Sequence, residues 1–527
     1  MSLISKAQFN ITGGIILPEN KSQSSQSPLQ ICPLPEQLII PLNMHAGTDA
    51  IAIVEVGETI GKGQNIAKAD RAISAFIHSP VAGQVVDIKS MPVANRSGVE
   101  ETVLIIDCDS EQSDLYNEIS DWSNQTAEQL LEKVRLAGIV GLGGAGFPSD
   151  QKIKSSLSSH TLILNGAECE PYISCDHRAM DDFAPQILEG ALILATILDC
   201  ENIQIAIEDN KSSAINSMAN SLKESANGGN KSPTIEIIEI PTRYPSGGER
   251  QLIEIISGKQ VPSNSLPSVL GYTVQNVATA LAVSEAVVRD KPLLDRIVTV
   301  TGKAVSRPGN YRVTLGTSIR YLLEFAGWDE SKCSRLIHGG PMMGFPMACA
   351  DRPISKTSNC IIAGTIEEFP APLAEQTCIR CGQCADVCPA TLIPQQLYWF
   401  SRSGEINKAL DHRLMDCIEC GACAYVCPSQ IPLVDYYRYS KGEVKSRKAT
   451  EEKASHSKQR FDFRNQRLEN NRLEKARLRE ERAKLAAKAK TDDPKKQAIA
   501  DALARIKAKK QANASASTSG KEGNKNA

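Results

Sequence analysis

The sequence predicts a multidomain α/β chain, and three observations carry that reading. Its 527 residues, at roughly 150 per domain, suffice for three to four separate cores. From Ala127 to Val288, helical stretches alternate with short β runs, as in an α/β unit built on a largely parallel sheet. Composition then shifts twice: cysteines crowd into a passage before Ser440, and from Lys441 onward cysteine disappears while Lys, Arg, Glu and Ala dominate. The expected units are a β-rich segment 1–110, an α/β segment 111–290, a small β segment 291–345, a cysteine-rich helical module 366–440 and a charged tail 441–527.

Each element has a local reason. Before about Glu111, alternating runs such as Ile51–Val54 and Gly83–Ile88 are punctuated by Gly57, Gly61, Gly63 and Pro80, which suits a small barrel or sandwich. Thr161–Leu164, Ile203–Ile207 and Ile235–Ile240 read as buried strands of the α/β unit, and Ala127–Ala137 as a helix. Arg296–Val313 returns to β, with a turn at Arg307-Pro308-Gly309. Thr317–Ala326 reads as helix, which completes a unit of β-grasp size before a loop-rich passage. The tail carries 25 basic and 12 acidic residues, so a net charge of -2 hides an acidic body and a basic end. Sparse apolar residues between Glu451 and Lys490 predict a solvated helix. Ile499, Leu503 and Ile506 extend helical spacing, and the run from Gln511 to Ala527 reads as disorder.

Composition also excludes classes. With 41% hydrophobic and 23% charged residues and near-zero net charge, nothing points to nucleic acid. The best apolar run, Ala191–Leu198, falls far short of the roughly 18 residues needed to span a bilayer. The N-terminus lacks a secretory pattern, so the 16 cysteines are expected to meet a reducing compartment as ligands or thiols.

Eight of those cysteines form two copies of one pattern. Cys378, Cys381, Cys384 and Cys388-Pro389 repeat as Cys417, Cys420, Cys423 and Cys427-Pro428. This is the bacterial ferredoxin spacing for 4Fe-4S clusters, in which three close thiolates hold one cubane and the fourth reaches the other. The expected ligand sets are therefore Cys378, Cys381, Cys384 and Cys427 for one cluster, and Cys388, Cys417, Cys420 and Cys423 for the second. Structural zinc has no use for the third close cysteine or the Cys-Pro ending. Cys32, Cys108, Cys169, Cys175, Cys200, Cys333, Cys349 and Cys360 lack ligand spacing and read as buried thiols.

The run GLGGAGFP, Gly141–Pro148, satisfies G-x-G-x-x-G but follows a helix and ends in proline, so it departs from the dinucleotide fingerprint. A glycine loop opening a helix can still present N–H groups to a phosphate. Lys152 and Lys154 lie just beyond it, which makes flavin mononucleotide (FMN) a candidate.

Together with NGAECEPYISCDHR (Asn165–Arg178), YPSGGE (Tyr244–Glu249) and QNVATA (Gln275–Ala280), this loop resembles the ordered motifs of the NADH- and FMN-binding subunit of respiratory complex I. With the two-cluster module and the β-rich N-terminus added, the chain resembles the C-subunit family of Rnf/Rsx ion-translocating electron transport complexes, from Phe9 to about Ser440. Arg296–Trp328 is similar to that family's SLBB β-grasp domain. The resemblance implies that Gly143, Gly144 and Gly146 line the flavin, with Lys154 near its phosphate and Asn165 and Asn276 as polar contacts. It also implies that Glu168 and Glu170 face the nicotinamide nucleotide, with Glu249 on the same wall. At Gly166-Ala167 the chain lacks an acidic residue of the complex I motif. The N-terminal unit resembles a lipoyl-type barrel-sandwich hybrid. However, Arg71-Ala72 stands where a carrier lysine belongs and Lys68 is the nearest amine, so docking rather than covalent attachment is expected.

In function, the resemblance implies an electron-transfer subunit of a membrane-bound oxidoreductase. It would exchange electrons among NAD(H), non-covalent FMN and two 4Fe-4S clusters in a complex with integral-membrane and iron-sulfur partner subunits, of which those that span the bilayer move ions. Its expected place is the cytoplasmic side of the bacterial inner membrane, held peripherally. The alternatives are a non-catalytic iron-sulfur relay without its own NADH site, and a soluble dehydrogenase.

Overall fold

The computed structural model describes residues 4–71, 73–112, 119–225, 233–491 and 494–516. Two compact units are present, Met1–Lys441 and Gly442–Ala527.

In the first unit the α/β part is a five-stranded sheet in the order Ile4–Lys6, Thr234–Ile240, Asn202–Glu208, Thr161–Asn165, Tyr272–Asn276, with every neighbouring pair parallel. Its strand Thr161–Asn165, paired on both sides, carries the unbroken apolar run Leu162–Leu164 because both faces are covered. Leu162 and Leu164 enter one core while Ile163, between them, enters the other. Helix Ala127–Leu136 starts on a capping box between Thr126 and Gln129, two orphan backbone donors being satisfied reciprocally. Helix Cys175–Leu198 kinks at Phe183, two residues before Pro185.

The barrel-sandwich part consists of a four-stranded antiparallel sheet (Gln37–Pro41, Glu100–Cys108, Gly83–Pro92, Thr59–Ile60) and a three-stranded one (Ile51–Ala52, Asn65–Lys68, Ile77–His78). Leu38, Ile40, Leu104 and Ile106 alternate into the core that the two sheets share with Ile66 and Ile77. The β-grasp part is six-stranded, in the order Phe345–Met347, Arg335–His338, Cys360–Gly364, Asp295–Thr301, Gly309–Thr314, Gln30–Ile31, with helix Ile319–Phe325 capped by Ser318.

Three expectations change. Ile4–Lys6 and Gln30–Ile31 belong to the α/β and β-grasp sheets, so the N-terminal segment ties those parts together and the barrel begins only near Gln37. The passage read as loop contains the fully buried strand Cys360–Gly364, which lies between two other strands of the β-grasp sheet. In the tail, helix Leu433–Thr491 and helix Pro494–Ala516 run on, so residues 511–516, expected to be disordered, are helical; 517–527 lie outside the described residues. Among the described residues no helix is long and apolar enough to cross a membrane.

Candidate functional site

The cysteine module is built from two matching loops. Gly382 and Gly421 adopt φ of 84° and 81°, and each leads into a four-residue helix, Gln383–Asp386 or Ala422–Tyr425. The loops line two cavities of similar size. Cys378, Cys381, Cys384 and Cys427 line the first, together with Tyr398, Ile431 and Leu433. Cys388, Cys417, Cys420 and Cys423 line the second, with Leu392, Leu397, Val434 and Tyr437. Each cavity thus takes three thiols from one motif and the fourth from the other. The Leu392 N–H lies 3.4 Å from Cys388 Sγ, and Gln395 Nε2 lies 3.8 Å from Cys378 Sγ, donors of the kind that stabilise charge on cluster-bound sulfur. Eight thiols, apolar walls and N–H donors fit two cubanes. Of the remaining cysteines, Cys32, Cys175, Cys200 and Cys360 are buried and the other four half-buried. Burial raises the thiol pKa of Cys32 and Cys169 to about 12, which keeps them protonated.

The glycine loop sits at the C-terminal edge of the parallel sheet, where open α/β sheets form their binding crevice. Asn165 and Asn276 end neighbouring strands and stand opposite one another in register. The loop is closed by a bridge between Val140 and Pro148 and by the Gly141 N–H donating to Phe147 O at 2.8 Å. Leu142 N–H donates to Thr279 Oγ1 at 2.9 Å, fixing the loop to helix Val277–Arg289. Asn276 caps that helix through Oδ1, which accepts from the Ala278 N–H at 2.9 Å, while its Nδ2 donates to Asp176 at 2.6 Å. Asn165 donates to Gly247 O and accepts from the Ala167 N–H, which fastens the NGAECEP and YPSGGE segments together.

The expected flavin-lining positions differ from one another. A Cβ on Gly143 would stand 3.4 Å from Asn276, and one on Gly144, at φ 110°, would meet nothing within 4 Å, so these two present open backbone. Gly146 turns inward: its φ is 62° and a Cβ would lie 2.6 Å from Thr357, so its missing side chain serves packing against the β-grasp part. Lys154 pairs with Asp150 at 3.3 Å. Lys152, in contrast, pairs with Glu249 at 2.6 Å and so belongs to the wall that contains YPSGGE.

The carboxylates also separate. Glu168 is only 6% exposed, and instead of facing outward it lies in an internal charge cluster. Its Oε1 accepts from the Asp176 N–H at 2.9 Å, and its Oε2 lies 4.0 Å from Lys21 Nζ and 3.9 Å from Lys211 Nζ. Lys211 also pairs with the buried Glu208 at 3.1 Å. Burial favours the neutral acid, but the two ammonium groups hold Glu168 below the ordinary carboxylate pKa. Glu170 accepts from the Met342 and Met343 N–H groups, each at 2.7 Å, and burial raises its pKa. Glu249 is the partly open acid. Asp176, which the motif reading left without a role although it lies within NGAECEPYISCDHR, is buried beside Glu168. Burial and that neighbour's charge push its pKa up to about 7.

At the barrel hairpin, Arg71 is exposed and Ala72 lies outside the described residues. The segment after it is docked, not swinging: Ser74 Oγ is 3.1 Å from His45 Nε2, and Lys356 Nζ donates to both Phe76 O and Gly138 O at 2.7 Å. Lys68 is exposed on the strand before it.

Four family models match in order: the RnfC barrel sandwich hybrid domain over residues 9–111, the Nuo51 FMN-binding domain over 134–285, the SLBB domain over 297–346 and the 4Fe-4S dicluster domain over 377–431. Proteins named as the C subunit of the ion-translocating oxidoreductase complex align along most of the chain. That of Serratia proteamaculans is 43% identical over 97% of this chain and 71% of its own length, and that of Salmonella enteritidis 45% identical over 95% and 70%. The crystal structure of an NAD+-reducing NiFe-hydrogenase superposes with a TM-score of 0.45 at 18% identity, covering 57% of this chain and 62% of that one. The identity and coverage of the bacterial relatives establish that this chain belongs to the C-subunit (RnfC) family of ion-translocating oxidoreductase complexes.

Proposed function

We propose that the chain is the electron-entry subunit of such a complex, with NAD(H) meeting FMN at the C-terminal edge of the parallel sheet and two 4Fe-4S clusters relaying electrons to partner subunits. The observation that carries this reading is the pair of four-cysteine cavities in the same compact unit as the glycine-loop crevice. FMN, when bound, accepts a hydride and returns electrons one at a time. The chain's residues fit that group. Gly143 and Gly144 offer exposed backbone beside Asn276, and Lys152 adds a cation on the wall that contains YPSGGE. Asn165 and Asn276 fix the loops around the crevice, and Glu249 is placed to accept hydrogen bonds from nucleotide hydroxyls.

The two cavities also suggest an order. Cys420 is buried in one apolar cluster with Ile15 and Tyr244, whereas Cys381 is exposed beside Ile379, itself 69% exposed. In this reading a cluster held by Cys388, Cys417, Cys420 and Cys423 would be the inner one, beside the Tyr244 segment of the flavin wall, and one held by Cys378, Cys381, Cys384 and Cys427 would face a partner.

Attachment to the cytoplasmic face of the inner membrane through integral partners, helped by the basic tail, accords with the absence of a spanning helix among the described residues. The test is an anaerobic preparation assayed for iron, sulfide and flavin and then titrated with NADH. Two full 4Fe-4S complements, bound FMN and NADH-driven bleaching of both chromophores are expected. Full iron with neither flavin nor NADH response would instead establish a non-catalytic relay.

A further inference from the structure

We infer that Tyr244 and the Thr12–Ile15 turn form a clamp that seats the second cysteine cavity against the α/β part, making Tyr244 and Gly13 positioning residues for electron transfer between flavin and cluster. This deepens the relay reading and rests on it.

Tyr244 begins the YPSGGE segment of the flavin wall, yet its side chain reaches into the cysteine module. It is 2% exposed, and its hydroxyl donates to the backbone carbonyl of Cys420 at 2.5 Å. Its own backbone exchanges two hydrogen bonds with Ile15, at 2.8 and 2.9 Å, so the tyrosine and the N-terminal turn form one bridge. That turn reaches the other cysteine loop, because Gly14 N–H donates to Val387 O at 2.9 Å. Gly13 is required there on two counts. Its φ is 63°, and a Cβ would stand 2.8 Å from the backbone carbon and oxygen of Cys388. Tyr244, Ile15, Cys420 and Ala422 share one buried apolar cluster. The clamp therefore grips two of the four thiol-bearing residues of the second cavity, one from each cysteine motif.

The first cavity has no counterpart among the bonds of the described residues. Its nearby loop contacts, Gln376 N–H to Ser429 O and Ser429 Oγ to Thr377 O, stay inside the cysteine module. Each transfer between flavin and cluster moves one electron and makes or breaks no bond, so the protein controls it through separation, orientation and the dielectric around the acceptor. A clamp that excludes water from one cluster also holds down its potential, since solvent favours the more negative reduced state.

The test uses the full chain with its cofactors and two variants. Tyr244→Phe removes only the hydroxyl, and Gly13→Ala adds one methyl group against Cys388. EPR-monitored redox titration gives each cluster's midpoint potential, and rapid mixing with NADH gives the rate at which electrons reach the clusters. In both variants the potential of the second cluster should move positive while that of the first stays put. Electron arrival should slow by about tenfold, the scale of losses on removing an outer-shell contact of a metal site. If Gly13→Ala sheds iron, Tyr244→Phe decides alone. Wild-type potentials and rates in Tyr244→Phe would overturn the clamp and leave the relay standing. Failure of NADH to reduce either cluster in the unmodified protein would overturn the electron-entry reading on which the clamp rests.

Discussion

The two cysteine motifs are nearly interchangeable as sequence, yet their cavities occupy opposite situations. The first opens toward solvent at Ile379 and Cys381, while the second is enclosed by Ile15, Tyr244 and Ala422. Ligand spacing specifies a cluster, but which copy lies inside and which faces outward comes from what the rest of the chain packs against each. That packing is asymmetric because the N-terminal segment and the Tyr244 loop reach the backbone around Cys388 and Cys420.

The largest effect expected concerns the crossing that links the two copies. Cys388→Ala should abolish the cluster of Cys417, Cys420 and Cys423, and Cys427→Ala the cluster of Cys378, Cys381 and Cys384, as judged by EPR after reduction. If Cys388→Ala instead reproduces the spectrum of Cys381→Ala, each motif serves its own cluster and the comparison collapses.

Next comes the charge cluster around Glu168, in the same NGAECEP segment that Asn165 fastens to the Tyr244 loop. Glu168→Gln leaves Lys21 and Lys211 sharing one fewer carboxylate in the interior, a change of about 3–5 kcal/mol for a broken buried pair. Thermal unfolding should shift down while iron content in the folded fraction stays normal. An unchanged melting curve would mean that the cluster carries no net stabilisation. Because Glu168 has a lowered folded pKa, its contribution is present above the unfolded value of roughly 4.3 and is lost as pH falls through the folded one.

Asp176 has the opposite sign. Its folded pKa of about 7 exceeds that of an unfolded aspartate, roughly 3.9, so the native state holds the extra proton between those values. Stability should decline with rising pH in that window by up to about 1.4 kcal/mol per unit. Asp176→Asn should flatten the profile from urea unfolding between about pH 5 and 7. A slope equal to that of the unmodified chain would assign the proton elsewhere.

Smaller still is the contrast between two lysines. Lys152→Ala should weaken FMN retention on dilution several-fold and Lys154→Ala should leave it unchanged, measured by flavin fluorescence of the filtrate. The reverse ranking would put the phosphate on the Asp150 side of the loop.

These contrasts mark how far the sequence was legible. The grouping of the eight cysteines around two cavities was readable because three thiols of each motif sit close together, Cys378 to Cys384 and Cys417 to Cys423. The parallel strands were readable because short β-branched runs such as Ile203–Ile207 and Ile235–Ile240 alternate with helices, and because burial on both faces leaves the continuous apolar run Leu162–Leu164. Ile4–Lys6 and Gln30–Ile31 were not readable: such short runs carry no period, and their pairing partners, Ile237–Glu239 and Tyr311–Arg312, lie far along the chain. Distance also hid the environment of Glu168, since Lys21 and Lys211 come from other segments. Lys152 and Lys154 stand on one short helix of about 3.6 residues per turn, so they point to opposite sides, and only the fold tells which one meets Glu249.

The most direct test of the relay's direction is to remove its inner member and ask whether the outer one can still be filled. In a Cys420→Ala variant reduced by NADH under rapid mixing, flavin absorbance should bleach at the normal rate, while the cluster of Cys378, Cys381, Cys384 and Cys427 stays oxidised until dithionite is added. Prompt reduction of that cluster by NADH would contradict the order of flavin, buried cluster, exposed cluster.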